Sequence, residues 1–267
     1  MTHQLRGTAR DVVRSALLWH IWTRLGVQDV RLKFRRSMLG VGWIFMNLAV
    51  MVVSIGFIYT YLLGQDPRTF IPYLTIGLIT WGYLTTSIVE GGNAFINAVG
   101  YVKQISLPIY VYVFRFFFSV TLTSMLNLCV YVAVAIVYQV PITFGTLFVL
   151  PGLLIVMTAS LLLITIFAHL NARFRDVAYL ASAGMQVLFY VTPVMFPAEL
   201  LQRSRRLSFV VDWNPLYHLL EVVRHPLLTG TPADWHTYAA AGMILAVLAV
   251  LAGSVIAFFE RRIVFAL

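Results

Sequence analysis

The segment Gln28-Asp29-Val30-Arg31-Leu32-Lys33-Phe34-Arg35-Arg36-Ser37-Met38-Leu39-Gly40-Val41-Gly42-Trp43 sets four cations directly ahead of a long apolar run. Arg31, Lys33, Arg35 and Arg36 abut Trp43–Leu63, which carries no charge and is long enough to cross a bilayer as a helix. Cations beside a spanning segment are retained on the cytoplasmic side. The segment therefore orients the chain, and it presents a basic surface to the cytosol.

Composition agrees. Of the 267 residues 60% are hydrophobic and 11% charged, with mean hydropathy +0.86. Soluble domains carry about 25% charged residues, so the solvent implied for most of this surface is lipid. The net charge of +9 suits topology signals and anionic headgroups better than nucleic acid, since the cations flank apolar runs. The single Cys129 excludes an internal disulfide and a cysteine-based zinc cluster. The first forty residues hold no early apolar core behind a short basic start, so span one is expected to act as an uncleaved anchor.

Working outward, Leu17, Leu18, Ile21, Trp22 and Leu25 recur at spacings of three and four within residues 1–27. Trp19 and Trp22 suit headgroup depth. This predicts an amphipathic helix on the membrane surface, within a cytosolic segment 1–42. The remainder, 43–267, reads as the membrane domain. Its spans are expected at about 43–63, 72–89, 109–138, 147–169, 177–194 and 238–259. Between spans two and three, residues 93–107 are too polar to cross and too apolar for a free linker, so a short helix under the membrane is expected. Residues 197–230 hold apolar pieces too short to cross, broken by Asp212, Asn214, Glu221, Arg224 and His225. They predict short re-entrant or interfacial helices, the second opened by an Asn214 N-cap with Pro215 at its first position. The fold class is thus an all-α polytopic membrane protein with six transmembrane helices, an N-terminal amphipathic helix and short helices before the last span.

An even number of spans puts both termini on one side. With the N-terminus inside, fourteen of the 19 Lys and Arg residues are cytosolic, which favours N-in, C-in. The discordant cluster is Arg203-Ser204-Arg205-Arg206, assigned outside. No internal repeat suggests inverted halves.

The chemistry is largely negative. A Walker A loop needs Gly-Lys after a glycine-rich turn, and the only lysines follow Leu32 and Val102. The chain is therefore not its own P-loop ATPase. The span centres hold almost no ionisable residue, against ion coupling. Asn127 and Cys129 are the main polar interruptions, and an interhelical hydrogen bond is the ordinary explanation of Asn127. His218, Glu221 and His225 share a helix face, but a wetted polar face accounts for them and no metal is assigned. No Gly-x-Ser-x-Gly nucleophile elbow occurs. Aromatics reach 14%. Lipid packing explains most of them; stacking against sugar faces is the functional alternative, with Tyr59, Tyr61, Trp81, Tyr83, Tyr190 and Phe196 as candidates lining a glycan channel.

Asp29–Trp43, with its acidic, basic and aromatic entry followed by Ser37-Met38-Leu39-Gly40 and Trp43, resembles the entry signature of polysaccharide ABC exporter permeases of the type-2 ABC exporter family. Phe34 stands where that family usually has Tyr. Ala172–Val177, Asn214-Pro215-Leu216 with Arg224 ten residues after Asn214, and the basic-aromatic tail Arg261–Leu267 extend the resemblance over essentially the whole chain. The resemblance implies a homodimer in the bacterial inner membrane, joined to two copies of a separate nucleotide-binding subunit that carries the ATP and magnesium. It implies that this chain binds no cofactor and that the substrate is an undecaprenyl-linked polysaccharide, with O-antigen foremost. Capsule, teichoic acid, drug or lipid export are the nearer alternatives, and an enzyme or assembly factor for lipid-linked sugars the further one. It further implies a coupling helix at about 93–107. Contacts to the ATPase would then come from Gly100, Tyr101, Val102, Lys103 and Gln104, together with Arg31, Lys33, Arg35 and Arg36. Asn214, Pro215, Glu221 and Arg224 become candidates for a periplasmic gate, and Ser37–Trp43 a candidate hinge.

Overall fold

A computed structural model describes residues 2–98, 107–198 and 208–266, all of them helices and connections. The N-terminal segment forms two helices rather than one, α1 (Thr2–Leu17) and α2 (Trp19–Lys33). Leu18 departs from helical geometry at φ −81°, ψ 35°. The second helix runs past residue 27 through Arg31 and Lys33, because Gly26 and Val30 give it a face to bury. The chain then turns through Phe34–Val41, with Arg36 at φ 71° and Gly40 at φ 54°. Of the two hinge glycines, Gly40 supplies the left-handed conformation that an L side chain resists. Gly42 is already the first residue of α3 (Gly42–Leu63).

The bundle continues with α4 (Pro67–Val89), α5 (Tyr110–Val137), α6 (Val149–Arg173), α7 (Val177–Val191), α8 (Ser208–Asp212), α9 (Pro215–Thr229) and α10 (Trp235–Ala266). Asp66 caps α4 by accepting from the Arg68 N–H, with Pro67 at the first helical position. The last helix does not stop at Glu260-Arg261-Arg262 but continues to Ala266.

Four helical stretches are long and apolar enough to cross a membrane among the described residues: Gly42–Leu62, Tyr110–Val137, Phe144–Arg173 and Trp235–Phe259. The expected spans two and five differ for separate reasons. Helix α4 has 23 residues, about 34 Å at 1.5 Å per residue, but is less apolar. It is enclosed by α3, α5, α6, α7 and α9, and a helix clad in protein needs no lipid-facing apolar surface. Helix α7 has 15 residues, about 22 Å, short of a hydrocarbon core about 30 Å thick.

Helix α4 is the axis of the core: Leu74, Ile76 and Leu84 are fully buried. Helix α10 packs mainly on α6, and α2 mainly on α5. Helix α9, also 15 residues and too short to span, wedges against α4, α6 and α10. A Cβ at Gly152 of α6 would collide with the Val222 carbonyl of α9, so this glycine permits the backbone approach that seats the short helix. Thr143 Oγ1 donates to the Gly230 carbonyl, and Tyr131 Oη donates to the Leu227 carbonyl at 2.6 Å, securing the far end of α9.

Candidate functional site

Two polar clusters stand at opposite ends of α4. The first joins α2 to the bundle. Arg115, near the start of α5, donates from Nε and Nη2 to the Asp29 carboxylate at 2.6 and 2.5 Å. Both side chains are partly buried, and the fork geometry makes this a strong and directional ion pair. Trp22 stacks on Phe114 at 5.8 Å and meets Phe118 edge-on at 5.7 Å. Gly26 lies so close that an added Cβ would sit 2.9 Å from Phe118 and 3.0 Å from the Arg115 carbonyl. Lys33 Nζ is 4.0 Å from Glu90 at the end of α4, an exposed pair of little energetic weight. Helix α2 is thus clamped to α5, while its link to α3 is a turn.

Arg31, Arg35 and Arg36 are exposed. Gly100, Tyr101, Val102, Lys103 and Gln104 lie outside the described residues. What precedes them is two short 3-10 turns, Gly91–Asn93 and Ile96–Ala98, in place of the start of a continuous helix from 93. Asn171 holds the first turn: its Nδ2 donates to the Gly92 carbonyl at 3.2 Å and to Asn93 Oδ1 at 2.9 Å, and its Oδ1 accepts from Ala178 N–H at 3.2 Å. The approach to the expected coupling segment is therefore tied to the α6–α7 corner.

The second cluster sits where α7 ends. The chain kinks at Thr192–Phe196, and three side chains grip it. Asn214 caps α9 through Oδ1, accepting from the Leu216 and Tyr217 N–H groups at 3.0 and 3.3 Å, while its Nδ2 donates to Thr192 Oγ1 at 2.8 Å. Pro215 occupies the first helical position. Arg224 is the largest fully buried side chain among the described residues. Its Nε and Nη2 donate to Glu221 Oε2 at 2.9 and 2.6 Å, and its Nη1 donates to the Pro193 carbonyl at 2.7 Å. Its guanidinium lies 4.0 Å from the centre of the Tyr73 ring. Tyr73 Oη donates to the Pro193 and Phe196 carbonyls, both at 3.0 Å.

Burial opposes ionisation at Glu221, but Arg224 and His225 overcome it and hold the carboxyl below the usual carboxylate range. The hydrogen bond to Glu221 raises His225 above its ordinary value, although partial burial opposes this. Glu221 is committed to Arg224 and His225, and His218 Nε2 lies 2.9 Å from the Asp212 carbonyl. Glu221 and His225 of that face pair with each other, and His218 points to a backbone carbonyl instead.

The aromatic candidates do not share one surface of the chain. Trp81 and Tyr83 are buried, Trp81 against Phe189 at 5.6 Å and Tyr83 with its hydroxyl 2.8 Å from Thr121 Oγ1. Tyr59 is half-buried and stacked on Phe70 at 5.6 Å. Phe196 is half-buried, and Tyr61 and Tyr190 are exposed. Asn127 departs from expectation: its side-chain oxygen is enclosed and meets no hydrogen-bond partner among the described residues.

Sequence reasoning picked out Asn214 and Arg224 but missed Tyr73, Thr192, Asp29, Arg115 and Asn171. Asp29 reads as the first residue of the entry signature and Arg115 as a charge at the edge of an apolar run, and nothing in the sequence pairs the two.

These features define a polytopic helical membrane protein, with a surface helix locked to one long helix at one end and a short wedged helix at the other. The chain belongs to the ABC-2 type transporter family, whose sequence pattern matches residues 22–228. It is similar to an O-antigen export system permease protein RfbA of Myxococcus xanthus, 25% identical over 198 residues, which cover 72% of this chain and 74% of that protein. An O-antigen export system permease protein RfbA of Klebsiella pneumoniae is 23% identical over 207 residues, 76% of this chain and 78% of its own length. The resemblance read from Asp29–Trp43 is borne out.

Proposed function

We propose that this chain is the membrane subunit of an ATP-driven exporter of lipid-linked polysaccharide, O-antigen foremost, powered by a separate nucleotide-binding subunit. The observation that carries the reading is similarity to O-antigen export permeases across about three-quarters of both chains. The missing Walker lysine supports an external ATPase. The working unit is a homodimer with two nucleotide-binding subunits, in the bacterial inner membrane, six spans per chain with both termini inside. ATP and magnesium belong to the partner, and neither this chain nor the reading calls for a cofactor or a nucleic acid.

The clamped α2 suggests how force enters. A push on α2 meets α5 through Asp29–Arg115 and the Trp22 stack. The direct covalent link of α2 to α3 is the Phe34–Val41 turn, and α5 also packs on α3. Load therefore passes first to α5 and, through the packing of α5 on α4, to α4. At the outer end α4 carries Tyr73, and so reaches the Pro193 kink and the Asn214–Arg224 helix, the candidate gate.

Deleting the chain in a glycan-exporting host and restoring it on a plasmid tests the reading. Lipid-linked glycan should accumulate inside and return to the surface on restoration. If a drug stimulates the complex's ATPase and lipid-linked glycan does not, the drug-exporter reading takes its place.

A further inference from the structure

A cleft of about 370 Å³ opens between α2, α4 and α5, at the end assigned above to the cytosol. Its lining runs along α4 from Glu90 to Leu78 and along α5 from Tyr112 to Asn127, with Leu48 of α3 beside them. The α4 stretch rises over twelve residue steps, about 18 Å of helix, so the cleft reaches from the membrane surface toward mid-span. Its volume falls within the roughly 300–1,000 Å³ typical of small-molecule pockets.

The chemistry changes with depth. At the mouth each charge is set against an opposite one, Asp29 with Arg115 and Lys33 with Glu90. Deeper, no charged group lines the wall among the described residues. Ser119, Thr123 and Asn127 recur every four residues on one face of α5, beside Ser124 and opposite Thr86 of α4. This polar stripe runs down an otherwise apolar span, and it ends at the Asn127 side-chain oxygen, which is enclosed and without a partner. Opposite it, Gly82 faces the opening: an added Cβ there meets nothing within 4 Å.

These features discriminate among ligands. A phosphate would have to break the Asp29–Arg115 pair, and the interior offers it no cation. A lipid tail would offer no hydrogen-bond partner to the Ser119, Thr123 and Ser124 hydroxyls along the wall. A neutral polyhydroxylated ring supplies donors and acceptors to the stripe and an apolar face to the aromatic and aliphatic wall. We propose that the α4–α5 cleft is a sugar-binding site that receives a short stretch of glycan from the cytosolic side. The proposal rests on the glycan-export reading and adds to it a location and a set of contacts.

The test uses the full complex in inverted membrane vesicles, with Cys129→Ser as background and Thr123→Cys or Ser119→Cys as reporters. A membrane-impermeant thiol reagent is added alone, then with methyl glycosides of mannose, galactose, glucose and rhamnose, or with pyrophosphate. Expected is labelling at both positions, slowed at least threefold by one or more glycosides and not by pyrophosphate. Adding Gly82→Leu, which fills the cleft, should abolish the protection. Absence of labelling at both reporters would mean a lipid-filled cleft and overturn the proposal. So would labelling that no glycoside slows, which marks water alone, or protection by pyrophosphate only. Glycan export by the wild-type complex is read separately in the same cells, so failure of the cleft is distinguished from failure of the exporter reading.

Discussion

The guanidinium of Arg224 lies 4.0 Å from the centre of the Tyr73 ring, and both side chains donate hydrogen bonds to one acceptor, the Pro193 carbonyl. A buried cation is costly unless it is paired and its donors are used. Here Glu221 supplies the charge, Pro193 takes a further donor, and the tyrosine face covers the plane. The arrangement ties α4, the end of α7 and the short helix α9 into one outer unit.

Replacing Arg224 by Met should therefore strand the Glu221 carboxylate and cost about 3–5 kcal/mol. Arg224→Lys keeps the charge but loses the fork, and should recover only part of the loss. Thermal unfolding of the purified protein in detergent reads both, and equal stability of all three proteins would contradict the assignment.

Asn214→Ala removes a helix cap and the Thr192 hydrogen bond together. A loss of about 1–3 kcal/mol is expected. Asn214→Asp keeps the cap but not the Nδ2 donor, and should fall between Ala and wild type. Hydrogen exchange at the Leu216 and Tyr217 amides should quicken in the alanine variant and much less in the aspartate one.

Reversing one charge of the Asp29–Arg115 pair should uncouple ATP hydrolysis from export while leaving membrane insertion intact. The double variant Asp29→Arg, Arg115→Asp should recover a measurable part of export. A swap no better than either single change would argue that α2 does not transmit load through α5.

The His225–Glu221 contact gives a pH dependence with a defined sign. The folded pKa of His225 is raised above its ordinary value of 6.5 by the hydrogen bond to Glu221. Its contribution is complete below about pH 6.5 and is lost as pH rises through the folded value. Glu221 is shifted down from 4.5, burial notwithstanding, so its contribution is present above that value and is lost on acidification. Asp234 and Arg224 also act on His225, with opposite signs. Unfolding temperature should fall between pH 6 and 8.5, and His225→Gln should flatten that slope. An unchanged slope in the variant would place the titrating group elsewhere.

Legibility in the sequence followed chain locality. The long apolar runs, the Asn214–Pro215 helix start and the missing Walker lysine could be read directly, because each depends on neighbours in the chain. Span five was read as 177–194, whereas the helix ends at Val191, since the pull of Asn214 on Thr192 and of Arg224 on Pro193 comes from distant residues. The aromatic candidates illustrate the same limit. Trp81 and Tyr61 look alike in sequence, yet one is buried and the other is 78% exposed. The polar stripe Ser119–Thr123–Asn127 was present in the sequence at four-residue spacing, but only the facing Gly82 and the enclosed Asn127 oxygen give it meaning.

The central claim is that this chain conducts lipid-linked glycan and takes its energy from a separate ATPase. Reconstitution of the chain with its nucleotide-binding subunit into vesicles carrying lipid-linked glycan on the outer surface tests it most directly. Glycan should reach the lumen only when both subunits, ATP and magnesium are present, with the ATPase face outward. Glycan that is moved or chemically altered by this chain alone, without ATP, would contradict the account.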